Sequence, residues 1–371
     1  MSMTANRERG VSLIELMIAM TLGLLLLAGL VTLFTNSSQA QRELQRTAQQ
    51  IENGRYAIDT LTQDLHHAGF YGQYYGFTTG TTVPDACVLP RAELTPALVY
   101  PVQAVRAANL TTRPASPGSD CGTWFTSANL QPGSDVLVIR RAQTSVLAVG
   151  SKSVSNMVYI QANTTSFELQ RGDNTNITST STARAGTAAT IKKKDGVTAA
   201  EIRKYVTHIY FVSPCSIPAG GGTICTGSSD DGGKPIPTLK RLELDVDSSG
   251  SRAFNVAPIA EGIEFVKYEF GIDNSPSTAN ATTGRIGDGA PDTYINTTPS
   301  AADIGNIVTA RVFLLARNTE SSTAYTDTKT YSLGSVAALT WTPPANNSYK
   351  RHAYSSEVRL VNLSSRRENP P

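Results

Sequence analysis

With 371 residues, a formal net charge of +2 and 17% charged residues, the chain is near neutral and long enough to bury a sizeable core. That balance excludes a nucleic-acid surface built on a basic stripe: nothing stands out beyond Lys192-Lys193-Lys194 and Arg366-Arg367, which read as solvated or loop charges. Four cysteines, Cys87, Cys121, Cys215 and Cys225, with no CxxC spacing, argue against a zinc or redox site and suit an oxidising compartment.

The first ten residues, Met1 to Gly10, are polar and carry Arg7, Glu8 and Arg9. An apolar run follows from Val11 to Phe34, about 24 residues, which as a helix spans about 36 Å, enough for a hydrocarbon core of about 30 Å. Its single charge is Glu15. An ionised carboxylate in lipid costs about 3 kcal/mol even on forgiving scales, so Glu15 needs the interface or a positive partner. A secretory signal is cut after its apolar region at small residues; here Gly10 precedes the run and no A-x-A closes it. Cleavage after Gly10 leaves the apolar helix on the mature protein with a new amino group on Val11. A helix N-terminus carries about half a positive charge and favours a carboxylate in its first turns, and a neighbouring subunit can supply an amine.

The segment Gly10-Val11-Ser12-Leu13-Ile14-Glu15-Leu16-Met17 resembles the class III leader of type IV prepilins and type II secretion pseudopilins. The resemblance implies three roles. Gly10 is the residue before the prepilin-peptidase cut, Val11 the new N-terminus that is N-methylated, and Glu15 the carboxylate that meets a neighbouring subunit's N-terminus during assembly. Val11 departs from the family's usual phenylalanine and Ser12 from its commoner threonine.

The helix is expected to continue past the span. Leu44, Ala48, Ile51, Arg55, Ile58, Leu61, Leu65 and Ala68 recur at steps of three and four, giving one apolar stripe interrupted at Arg55. Gly54 lowers propensity by about 1 kcal/mol and marks a place for a slight bend. No proline occurs before Pro84, and Gly69 offers a stop, so one helix of about 87 Å is expected. The domain reading is therefore a cleaved leader over 1–10, a transmembrane or filament-core helix over 11–34, an amphipathic continuation over 35–69, and a β-rich head over 70–371.

From Phe70 the periodicity turns to short β-branched and aromatic runs: Asp135–Arg141, Ser145–Val149, Met157–Ala162, Ser166–Arg171, Arg203–Ser213 and Leu239–Asp247. Polar stretches over about 172–195, 214–238 and 273–305 read as loops or insertions, since strands resume after each. The pattern predicts an α+β fold, a long helix packed on an antiparallel sheet with long loops. The four cysteines permit three pairings. Cys87 with Cys121 and Cys215 with Cys225 is expected, because each couple brackets a Pro/Gly-rich segment; the rival reading is four free buried thiols. Unstrained, the two bridges would contribute about 3 to 4 and about 2.5 to 3 kcal/mol.

The C-terminal third carries a second resemblance. Ile259 to Asp273, then Gly287-Asp288-Gly289-Ala290-Pro291-Asp292-Thr293-Tyr294, Ile307 to Arg317 and His352 to Leu363 are similar to the late segments of PilW-type minor pilins. Physically these segments read as strands, with Val308–Leu315 nearly continuous and central. The family implies a subunit that helps to prime type IV pilus assembly within a small complex resembling the pilus tip, in support of twitching, adhesion or DNA uptake. Its implied partners are other minor pilins, the major pilin, a PilY-type tip adhesin, the prepilin peptidase and, before assembly, the inner membrane of a Gram-negative bacterium, with the head in the periplasm and later at the cell surface. Glu15 implies a subunit other than the outermost one.

No catalytic or cofactor constellation is read from the sequence. Asp273, Asn274, Asp288 and Asp292 are oxygen-rich but lack the alternate spacing and closing glutamate of a calcium loop, and Asp in a Gly/Pro turn usually caps the turn. His66 and His67 are adjacent on a helix and do not face one metal, so a helix-end role fits them. Gly222–Ser228 lacks a P-loop lysine, and neither a Gly-x-Ser-x-Gly elbow nor HExxH occurs. Two other readings compete: a type II secretion pseudopilin, disfavoured by a head of about 300 residues, and a membrane-anchored periplasmic binding module or enzyme with an accidental leader.

Overall fold

A computed structural model describes residues 10–76, 82–89, 91–115, 121, 124–147, 156–172, 177–179, 191–275, 287–322, 325–336 and 339–368. It contains two compact units, Met1–Gln49 and Gln50–Pro371.

The long helix α1 runs Leu13–His66 without interruption, through Gly54 included. Its turns close over His67 and Ala68, and Gly69, at φ +72°, takes the left-handed conformation that ends helices. In the second unit its buried residues are Gln50, Gly54, Ala57, Ile58, Leu61, Asp64 and Leu65. The stripe expected from the sequence is therefore rotated: Ile51 is half exposed and Arg55 lies in solvent. The reason is Gly54. A Cβ there would lie 2.3 Å from the Tyr354 ring, so a bare helix surface faces the sheet at that turn where a larger side chain would hold it off.

A short helix α2 (Arg91–Ala97) precedes an eight-stranded antiparallel sheet. Its strands are β1 (Val102–Val105), β2 (Val136–Ala142), β3 (Val158–Ala162), β4 (Phe167–Gly172), β5 (Ile177–Ser179), β6 (Ile202–Ser213), β7 (Thr238–Val246) and β8 (Arg252–Glu261), in the order β1-β2-β6-β3-β4-β5, with β7 pairing β6 and β8. Gly262, at φ +77°, separates β8 from β9 (Ile263–Ile272). With β10 (Thr293–Ile295), β11 (Ile307–Arg317) and β14 (Arg351–Arg359), β9 forms a second sheet in the order β10-β9-β11-β14. β12 (Tyr331–Leu333) and β13 (Leu339–Trp341) make a separate hairpin, and α3 (Val361–Glu368) closes the described chain.

The second half of α1 joins the two sheets. Ala57, Leu61 and Leu65 share one core with Leu137, Ile139, Tyr210 and Val212 of the first sheet and with Val266, Tyr268, Phe270, Val312 and Leu314 of the second. On the far side of the first sheet Val138, Ile160, Tyr205, Ile209 and Phe211 pack with Leu94, Leu98, Cys87 and Cys121. On the far side of the second, Phe265 and Leu315 meet Tyr331, Leu333 and Trp341. β9 is consequently buried along its whole length, and β11 is central, as its continuous apolar pattern predicts. These layers make the α+β architecture expected from the sequence.

Several sequence expectations are corrected. Ser145 and Val146 are not in a strand, and Leu147 forms an isolated bridge with Ile202; residues 148–149 lie outside the described residues. The closing segment does not stay extended: β14 stops at Arg359 and Val361–Leu363 are helical. Short strands β5 and β10 interrupt stretches expected to be loops. Residues 180–190 and 276–286 of those stretches fall outside the described residues.

Candidate functional site

The candidate site at the N-terminus is built from one charge and its backbone. Leu13 opens α1, so Ser12 is its cap residue and Glu15 stands three positions on. The Ser12 N–H donates to Glu15 Oε2 at 3.0 Å, the glutamate half of a capping box. In the single chain the carboxylate is thus parked on its own helix start, among otherwise unpaired N–H groups and the positive end of the helix dipole. The hydroxyls in the apolar run are satisfied locally: Thr21 donates to the Met17 and Ile18 carbonyls and Thr32 to Ala28. Such local bonding is what a helix in a hydrocarbon environment requires of its hydroxyls. Its apolar side chains, Leu13, Ile14, Met17, Leu24, Leu27 and Phe34 among them, are exposed, and the helix is long and apolar enough to cross a membrane. Gly10 and Val11 precede it as exposed, non-helical residues.

A second constellation, in the globular unit, was missed at the level of sequence. Asp64 sits among the core positions of α1. Its Oδ1 accepts from Arg141 Nε at 2.7 Å, and its Oδ2 accepts from Tyr210 at 2.9 Å and lies 2.6 Å from His208 Nδ1. Burial alone would raise the Asp64 pKa, but the hydrogen bond and charge of His208, with the Arg141 guanidinium, hold it well below the usual carboxylate range. Burial and the Asp64 charge push the Tyr210 phenol up, keeping it a neutral donor. The signal was available: Ala57, Leu61, Asp64 and Ala68 follow helical core spacing, so an aspartate there had to find partners on the sheet. Further along the same helix, the Gln50 side-chain amide donates to the Ala316 and Lys350 carbonyls and Asn53 to Glu261.

The acidic loop residues act as turn caps. Asp273 accepts from the Ser275 and Gly289 N–H groups, Asp292 from Asn274 N–H and Asp288 from Ala290 N–H, so their oxygens are turned onto the backbone. His66 ends α1, and the His67 ring donates from Nδ1 to the Gln63 carbonyl at 2.8 Å, satisfying a helix-terminal acceptor. Cys215 is bonded to Cys225 with Cα atoms 5.9 Å apart, and Cys87 and Cys121 are brought together with Cα atoms 5.0 Å apart. The Cys215–Cys225 loop is tied down further by two aspartates: Asp230 accepts from Ala219, Thr226 and Gly227 N–H, and Asp231 from Ser216, Ile217 and Ile236 N–H.

Two family models match the chain. The one described as Type IV Pilus-assembly protein W, PilW, matches residues 225–362, and that of the prokaryotic N-terminal methylation motif matches residues 5–31. No curated protein and no solved structure matches it. The first match covers β7 to β14, including the second sheet that receives α1; the second covers the leader and most of the apolar run. An N-terminal methylation motif at one end and a PilW match at the other support a PilW-family pilin with a class III prepilin-like leader, a minor pilin of the type IV pilus class whose family serves structure and assembly.

Proposed function

We propose that this chain is a minor pilin that helps to prime type IV pilus assembly within a tip-associated complex of minor pilins, in contact with the major pilin and a PilY-type adhesin. The observation that carries the reading is Glu15, the one charge in the apolar run, held on its own helix start by a single backbone N–H. That bond is replaceable: the amine of a neighbouring subunit's processed N-terminus offers the carboxylate a full positive charge in place of a neutral donor. Cleavage after Gly10 creates that amine on Val11, and N-methylation leaves it cationic. Arg7 and Arg9 ahead of the span favour a cytoplasmic leader and a periplasmic head, in which disulfides persist, with the assembled head displayed on the pilus.

Glu15→Gln tests this. The variant is expected to leave the head folded and to impair incorporation and piliation; normal piliation and normal recovery of minor pilins in sheared filaments would overturn the reading. Mass spectrometry of the mature N-terminus checks processing, with cleavage after Gly10 and a methyl group on Val11 expected. A type II secretion pseudopilin is the second reading, and the PilW match together with the size of the head favours the pilus. Deletion is expected to abolish pili while leaving secreted enzymes unchanged.

A further inference from the structure

The end of α1 is built into a hollow that pilus assembly does not explain. Gly69 takes φ +72°, and a Cβ on it would lie 2.8 Å from the Leu363 side chain, so its bareness lets α3 pack against the helix end. Two bonds fix that contact: the Asn362 amide donates to the Ala68 carbonyl at 3.1 Å and Arg366 Nη2 to the Gly69 carbonyl at 2.9 Å. Gly72, at φ +73°, turns the chain again and brings three tyrosines to the same place. The result is a cavity of about 320 Å³ lined by Tyr71, Tyr74, Tyr75, Asn362, Ser365 and Arg366. That is a size used for small ligands.

We propose that this hollow binds a saccharide with a neutral, hydroxyl-rich ring. The walls match that chemistry on both counts. The Tyr74 ring is braced by Phe167 at a centroid distance of 4.8 Å, and Tyr75 is 41% exposed, an aromatic face left open where most aromatic rings of the head are covered. Such faces accept the C–H side of a pyranose ring. The Asn362 side chain and the Ser365 hydroxyl line the same hollow, and groups of this kind meet sugar hydroxyls. The lining holds no cluster of cations for a polyanion: Arg366, its one charged residue, already donates to the Gly69 carbonyl, and the cations of the adjoining hollow, Lys193 and Arg203, both pair with Glu201, at 3.9 and 2.5 Å. The inference deepens the proposed function, since a displayed head with a sugar site would serve adhesion.

The test uses the full-length protein in a detergent without a sugar headgroup, applied to an array of oligosaccharides with neutral and acidic termini, with a fluorescent single-stranded oligothymidylate in parallel. Wild type is expected to bind neutral termini. Tyr75→Ala should weaken binding about 2- to 12-fold, the range of one aromatic contact, and Tyr75→Phe should retain it. Ser365→Trp, on an exposed position of α3, should fill the hollow and abolish binding with the near-UV circular dichroism unchanged; if that variant misfolds, the Tyr75 pair decides. The inference is overturned if no neutral saccharide binds, if only acidic termini or the oligonucleotide bind, or if Tyr75→Ala binds as tightly as wild type. Its failure is distinct from that of the pilin reading, which is read from piliation in Glu15→Gln.

Discussion

Asp64 shows how one side chain holds the helix of a pilin-like head to its sheet. It gathers a guanidinium, an imidazole and a phenol from β2 and β6, and each of those groups is buried or nearly so. Removing one member of such a set strands the others without a counter-charge, which costs more than the interaction gained on folding. Asp64→Asn is therefore expected to destabilise the head by about 3 kcal/mol at pH 7, read by urea unfolding. The pH dependence has a definite sign. The folded-state pKa of Asp64 is depressed below its unfolded value of about 3.9, so its stabilisation is complete above about pH 5 and is lost as pH falls toward the folded value. Wild type should accordingly lose stability between about pH 5 and 2 more steeply than Asp64→Asn, the two curves converging at the acid end; parallel curves would show that another carboxylate sets the acid limb.

At the scale of elements, the contact between α1 and β14 rests on an absence. The Tyr354 ring lies over Gly54, with its hydroxyl 3.4 Å from the Ile51 carbonyl. In an isolated helix Gly54→Ala would stabilise by about 1 kcal/mol. Here the new methyl group would meet the Tyr354 ring, so the substitution is expected to lower the midpoint of thermal unfolding, and Tyr354→Ala should relieve that loss in the double variant. A purely additive cycle would show that the ring moves aside freely. The same residue marks how far the sequence could be read. Ile58, Leu61, Leu65 and Ala68 were identified as core because they repeat at helical spacing, whereas Ile51 was misplaced because periodicity weighs side chains and cannot see that a glycine two turns from the core centre is itself the contact. β2, β6, β7 and β11 were legible as runs of β-branched and aromatic residues. β1 and β8 were not: β1 has only Val-Gln-Ala-Val, and β8 carries Pro258 and an irregular pattern on a strand that, among the described residues, pairs with β7 alone. The turn into α3 was hidden because Val361-Asn362-Leu363 continues the alternation of the strand before it, and packing of Leu363 against Gly69 decides the conformation instead.

For the whole molecule, the division at Gln50 separates an exposed apolar helix from the packed head. Among the described residues the buried core lies from Gln50 onward, while the apolar side chains of Leu13 to Phe34 are exposed and, over about 33 Å of helix, suit lipid or sister helices. Glu15 stands out in the sequence, since a lone glutamate in an apolar run has few roles, and its place in assembly is the proposal made above. Its capping bond was not, because Ser12-Leu13-Ile14-Glu15 becomes a capping box only if the helix begins at Leu13. Folding of the head and insertion of the apolar helix draw on different residues, so they should be thermodynamically separable. A chain lacking residues 1–34 is expected to be soluble and to unfold in urea with the same slope as the full-length protein in detergent. Its stability should agree within about 1 kcal/mol, near the scatter of linear extrapolation. A drop of several kcal/mol, or a shallower slope, would mean that the apolar segment contributes to the native core. If the two proteins agree, a defect in Glu15→Gln can be attributed to assembly, because the head that carries the PilW match folds without the segment in which that charge lies.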